Sequence, residues 1–256
     1  MSRPSLSPSS PRRGGRRLSV QTGDPSAAAF AGEFLQRTLP LPAGGFSPGL
    51  TVTDNETFLL DGSQTLILRD IDAKAATHRG KKCTRLVHAS KTSAIGLALV
   101  PGLEFQNGLI EMSFSCRSRP TKPTEAGQAG PAFRINAEGA FEGFLLNPAA
   151  SRSHDQHRRN RAVQYVSLPS FPADTLCEQS PGCYAVYVDC PPAEWLSLRM
   201  EICGSKARLY LNGSSHPCLL VDDLRLPLGS GSGVGLWVPS GAEVFVADIN
   251  VVHWKR

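Results

Sequence analysis

Between residues 196 and 203 the chain reads Leu-Ser-Leu-Arg-Met-Glu-Ile-Cys, with apolar and polar side chains in alternation. A period of two belongs to a strand with one dry face and one wet face, not to the 3.6-residue period of a helix. Leu196, Leu198, Met200 and Ile202 share one face, and Ser197, Arg199 and Glu201 share the other. Gly204-Ser205 then forms a turn, because glycine accepts the positive φ that tight hairpins demand. Ala207-Arg208-Leu209-Tyr210-Leu211 returns with the same rhythm, and Asn212-Gly213 opens another turn. The segment predicts an antiparallel hairpin.

The same rhythm recurs along the chain. Leu109 to Cys116 places Ile110, Met112, Phe114 and Cys116 inward and Glu111, Ser113 and Ser115 outward. Further strands are predicted at 162–167, 184–188, 218–221, 233–238 and 243–251, and earlier at 58–60, 65–68, 84–88 and 93–100. About a dozen short strands, separated by turns drawn from 24 glycines and 20 prolines, predict an all-β sandwich of two antiparallel sheets. Ala27 to Arg37 is the only helical candidate. No linker interrupts 40–256, which reads as one domain.

Residues 1–35 read as a disordered Arg/Ser/Pro-rich tail, too poor in apolar surface to offset the entropy of ordering. Five arginines and no acid lie within the first twenty residues, and removing them leaves 22 basic and 22 acidic residues. The net charge of +5 therefore sits on the tail, and a nucleic-acid-binding face on the folded body is not expected. The tail composition matches an organelle transit peptide or an untargeted extension and so fixes no location; as a transit peptide it would imply a cytoplasmic or organellar one. No secretory signal is evident. The longest nearly apolar run, Ala94 to Leu103, is about half of the ~20 residues a membrane-spanning helix needs and contains Pro101. Seven cysteines, an odd number, without C-x2-C spacing, read mostly as reduced, part-buried residues rather than zinc ligands.

Several motifs resemble one family. Phe105-Gln106-Asn107-Gly108-Leu109-Ile110-Glu111 is similar to the F-x-N-G-x-I-E strand of concanavalin A-like lectin/glucanase jelly rolls. Arg159-Asn160 with Gln164-Tyr165 resembles the R-N-x-x-x-Q-Y segment of a bacterial, LamG-like branch. Trp195, Lys206 and Ala207-Arg208-Leu209-Tyr210-Leu211-Asn212-Gly213 match its hairpin, and Leu220–Leu224 and Gly233–Trp237 match its closing strands. The resemblance spans roughly residues 105 to 253. It implies a concanavalin A-like jelly roll of 12–14 strands whose relatives hold sugars on one sheet, and it implies no particular activity. Where relatives carry Arg-Pro and His-Pro, this chain has Asn147-Pro148 and Leu168-Pro169. A Trp near Asp174, an Arg near Cys177 and a Glu near Ala185 are also absent, which implies an altered or decayed ligand site.

A retaining glycosidase on such a fold needs two carboxylates ~5–5.5 Å apart. The matching strand has Ser113 where the acid after Glu111 would stand, so the glucanase motif is missing. A glycan hydrolase would need an unconventional pair of Glu111 and Glu142. Each reads more simply as an outer-face carboxylate balanced by an arginine such as Arg134 or Arg161. No other catalytic constellation appears, and Gly229 to Gly233 reads as a flexible loop rather than a phosphate cradle. Sugar binding asks only for hydrogen-bonding groups and an aromatic platform. Arg134, Glu142, Arg159, Asn160, Arg161, Gln164, Tyr165 and Tyr184 are the candidates, and alternation lets only one of Gln164 and Tyr165 face a groove. No cofactor is expected. His154, Asp155 and His157 offer an incomplete metal set, and Asp222-Asp223 offers a weak calcium site. The expected function is a lectin-like carbohydrate binder without complete catalytic machinery. A hydrolase or a protein-interaction sandwich with an exposed apolar patch is the alternative.

Overall fold

The computed structural model describes residues 50–255 apart from 63–64, 91–92 and 122–126. The tail, the helical candidate 27–37 and the start of the expected domain lie outside the described residues. Fifteen strands are present among those described. The first five are β1 (Thr51–Leu59), β2 (Ile67–Arg69), β3 (Ile71–His78), β4 (Lys81–His88) and β5 (Ile95–Leu99). The middle five are β6 (Gly108–Ser118), β7 (Gly130–Ile135), β8 (Phe141–Leu146), β9 (Val163–Leu168) and β10 (Ala185–Val186). The last five are β11 (Leu196–Cys203), β12 (Lys206–Leu211), β13 (Leu219–Val221), β14 (Gly233–Pro239) and β15 (Ala242–Lys255).

The strands form two antiparallel sheets. One runs β13-β12-β11-β6-β15-β4-β3, with β1 paired to β15, and the other runs β10-β9-β8-β7-β14-β5-β2. The hairpin predicted at Gly204-Ser205 joins β11 to β12, with Cys203 opposite Lys206 and Gly204 at φ +59. Leu196, Leu198, Met200 and Ile202 are buried in the core between the sheets. They lie there with Ile110, Met112 and Phe114 of β6, and with Phe133, Phe144, Val234 and Leu236 of the opposite sheet. Each such side chain contributes about 1.5–3 kcal/mol by leaving water, so this layer dominates the stability of the sandwich.

Three strands escape the sequence pattern. All six residues of β7 and all six of β8 are buried, because the outer face of their sheet carries a second apolar cluster. In that cluster Ala132, Ile135, Phe141 and Leu145 meet Leu97, Val166 and Trp237. Strands dry on both faces show no alternation. β3, rich in alanine and mostly exposed, carries too little apolar contrast to register.

The motif Phe105-Gln106-Asn107-Gly108 has a structural role. Phe105 is buried, and Asn107 Oδ1 accepts from the Gly204 N–H at 2.7 Å. At Gly108, φ is +152 and a Cβ would approach Val252 O to 1.9 Å, so only glycine lets β6 lie this close to β15. Gln106 Nε2 donates to Gly231 O, while its Oε1 accepts from the Gly229 N–H. The loop expected to be flexible is therefore pinned by one side chain. No helix among the described residues is long and apolar enough to cross a membrane.

Candidate functional site

The connection from β8 to β9 is built by two short capped helices. Asn147 caps Pro148–Ser151 by accepting from the Ala150 N–H at 3.0 Å, and Asp155 caps Gln156–Arg159 by accepting from the His157 N–H at 2.8 Å. Such caps satisfy backbone donors that a helix end leaves free. Ser151 Oγ donates to Val188 O and accepts from the Cys190 N–H, tying this connection to the segment after β10. The result is a fixed base at the β9–β10 edge of the seven-stranded sheet.

Gln164 lies on β9 between Leu145 of β8 and Ala185 of β10. Its side chain is on the outer face and Tyr165 is in the core, as alternation requires. Gln164 is only 5% exposed. It lines a depression of about 170 Å³, open to solvent, with Ala173 and Cys177 of the helix Ala173–Gln179, and with Ser180, Gly182, Tyr184 and Ala185.

Tyr187 follows β10, two residues after Ala185, and is 40% exposed. The Arg159 guanidinium lies over its ring at 4.8 Å, and Nη2 donates to the phenol oxygen at 3.2 Å. Arg161 pairs with Asp174 at the start of the helix Ala173–Gln179, and Asn160 Oδ1 accepts from Gln156 Nε2 at 2.7 Å. The structure thus gathers Arg159, Asn160, Arg161 and Gln164 along one edge. Sequence reasoning passed over Tyr187, although it stands three residues from Tyr184 and therefore on the opposite face of the same segment.

The other four candidates are placed differently. Arg134, Glu142 and Tyr165 are wholly buried, and Tyr184 nearly so. Tyr165 Oη donates to Glu142 Oε2 and accepts from the Arg225 N–H at 2.9 Å, while Glu142 Oε1 accepts from the Leu226 N–H. Burial pushes the Glu142 carboxyl up, opposed by these donors and by Arg134. Burial likewise draws the Arg134 guanidinium down; its Nη2 donates to Gln106 O and Gly204 O, while Nε and Nη1 have no partner. Tyr184 Oη donates to Asp223 Oδ2 at 2.6 Å and accepts from Arg225 Nη2 at 2.7 Å. These groups hold the 223–226 loop onto the core. Glu142 is therefore an interior anchor rather than the outer-face carboxylate expected of it.

Glu111 lies on β6 of the other sheet, opposite Arg199 and Asn250, and alternates with the core residues Ile110 and Met112. It points away from the interior in which Glu142 lies. Asp222 pairs with Lys206 Nζ at 3.1 Å, and Asp223 is held by Tyr184 and Arg225. Among the described residues no group of three or more His, Cys, Asp or Glu is arranged to hold a metal. The seven thiols are unpaired, with Cys83, Cys116, Cys190 and Cys203 buried. Exposed large apolar side chains, among them Val52, Ile67, Leu68, Leu220 and Leu228, are distributed over both sheets and a loop.

No protein-family model and no curated protein sequence matches the chain. Solved structures do. The exoplasmic/lumenal domain of VIP36, in its Ca2+/Man3GlcNAc-bound form, matches with a TM-score of 0.51 at 10% identity, covering 78% of this chain and 89% of that one. Its metal-free form gives 0.50 at 10% identity, over 78% and 92%. Peanut lectin gives 0.49 at 9% identity, over 80% of this chain and 100% of its own. The likeness is one of fold: two antiparallel sheets in the jelly-roll arrangement of lectins, as the sequence motifs imply.

Proposed function

We propose that this chain is a carbohydrate-binding protein of lectin-like, LamG-like type, with its saccharide site along the β9–β10 edge and without hydrolytic machinery. The observation that carries this is Gln164: an amide side chain on the outer face of β9 that lines a solvent-open depression at the sheet edge. A sugar hydroxyl both donates and accepts, and so suits an amide, which does both. Tyr187, under Arg159, lies farther along the same edge, and a half-exposed tyrosine suits the apolar face of a pyranose. The enclosed part of the depression has room for about one water-sized group, so a saccharide would lie along the open edge and reach Gln164 with a single hydroxyl. VIP36 carries Man3GlcNAc on a related fold, so the architecture is compatible with this use.

A hydrolase would require Glu111 and Glu142 to converge, whereas one faces outward from the eight-stranded sheet and the other is interior to the sandwich. Calorimetric titration against a panel of oligosaccharides tests the proposal. At least one saccharide should bind with a Kd of millimolar or tighter. Gln164→Leu, which keeps the side-chain volume, should weaken that binding about tenfold with the fold intact. Absence of binding across the panel, or full binding by the leucine variant, would overturn it.

A further inference from the structure

Four arginines lie between residues 152 and 161, and their neutralisation is uneven. Arg152 pairs with Asp189 at 2.9 Å, and Arg161 pairs with Asp174. Asp155, the only acid within the segment, uses its carboxylate to cap the helix Gln156–Arg159. Among the described residues neither Arg158 nor Arg159 meets a carboxylate. Arg158 is exposed, with His154 and His157 exposed beside it. Arg159 is held over Tyr187 by the ring contact and the hydrogen bond to its phenol oxygen, with a buried Nε that has no acceptor. A cation held in place by a ring contact and a hydrogen bond, with its charge unneutralised, is pre-organised for an anion. Its planar fork matches an oxyanion in a way that a lysine would not.

Resting on the carbohydrate-binding proposal, we infer that the saccharide selected at this edge is acidic, its anionic group taken by Arg159 and Arg158 while a ring packs against Tyr187. Carboxylate and sulfate ester share the required chemistry: a small oxyanion carried on a sugar, able to accept two parallel N–H donors. The neutral portion meets Gln164 and the aromatic ring, and the charge supplies selectivity. Such a contact is long-ranged and screened by salt, so selectivity should depend on ionic strength while neutral contacts do not.

The test is calorimetry of the full chain with trigalacturonate, a sulfated heparin-derived disaccharide and maltotriose, each at 50 and 500 mM NaCl. One or both acidic probes should bind at least tenfold more tightly than maltotriose at low salt, with the advantage falling several-fold at high salt. The two acidic arms identify carboxylate or sulfate as the group read. The double variant Arg158→Gln with Arg159→Gln should lose the advantage, and Arg158→Gln alone, which leaves the Tyr187 stack untouched, should lose part of it. Equal binding of maltotriose and both acidic probes would overturn the acidic preference and leave the carbohydrate site standing. An acidic advantage that survives the double variant would overturn it too, by placing the anion elsewhere, such as on the arginines of residues 1–20. Absence of binding by any probe, or by the wider oligosaccharide panel, would overturn both proposals together.

Discussion

Removing one hydroxyl should loosen the loop that follows β13. In Tyr165→Phe the ring keeps its neighbours Phe144 and Tyr184, at 6.3 and 5.6 Å between centroids, so the hydrophobic packing changes little. What is lost is the donor to Glu142 and the acceptor for the Arg225 N–H. A hydrogen bond to a charged group contributes ~1.5–3 kcal/mol, and an orphaned buried N–H costs ~1–3 kcal/mol. Taken near the lower end of each range, because water can reach a loosened loop, the two give about 3 kcal/mol. For a folded unit of this size each kcal/mol moves Tm by ~2–4 °C, so the variant should melt about 6–12 °C below the parent. Scanning calorimetry reads this directly, and urea titration should show a lower midpoint at unchanged slope. A shift under about 2 °C would refute the assignment of Tyr165 as the anchor of the loop. Unchanged stability with lost saccharide binding would refute it more pointedly, because the hydroxyl would then meet the ligand.

Two further outcomes probe the frame. Glu243 is buried between Arg85 and Arg117; burial alone raises its carboxyl, but hydrogen bonds from the two guanidinium groups outweigh it and hold the group below the ordinary carboxylate range. A folded pKa below the unfolded one gives stability that is present above the unfolded value and lost as pH falls through the folded one. Glu243→Gln should therefore cost about 2 kcal/mol at pH 7, a figure reduced because both arginines are partly solvated, and the deficit should vanish in urea titrations well below pH 4. A deficit independent of pH would contradict the ion-pair account. Gly108→Ala should cost about 3 kcal/mol, since its Cβ would overlap Val252 O and the residue would keep a positive φ; a urea midpoint equal to the parent's would contradict the close approach of β6 to β15.

How far the sequence could be read depended on contrast between the two faces of each strand. β11 and β12 present a dry face and a wet face, so their alternation marked both strands and the turn between them. β7 and β8 are dry on both faces and offered no rhythm. The same lack of contrast hides the setting of Glu142 and Arg134: two charged residues in otherwise apolar runs read as outer-face groups, whereas they meet hydrogen-bond donors or acceptors in the interior. Flanking residues Phe141 and Phe144 were the available sign of that burial. The R-N-x-x-x-Q-Y resemblance picks out one edge of the sheet, since Arg159, Asn160 and Gln164 gather there. Tyr165 of the same motif is a structural anchor. Tyr187 carried no motif, and only the pairing of β10 with β9 brings it beside Gln164.

The most direct test is a crystal structure of the chain soaked with the tightest-binding oligosaccharide. A sugar hydroxyl within about 3.2 Å of the Gln164 amide, with a pyranose face against Tyr187, is the predicted result. A sugar seated on the outer face of the eight-stranded sheet, or ordered at any other place while the Gln164 amide still faces water, would contradict it.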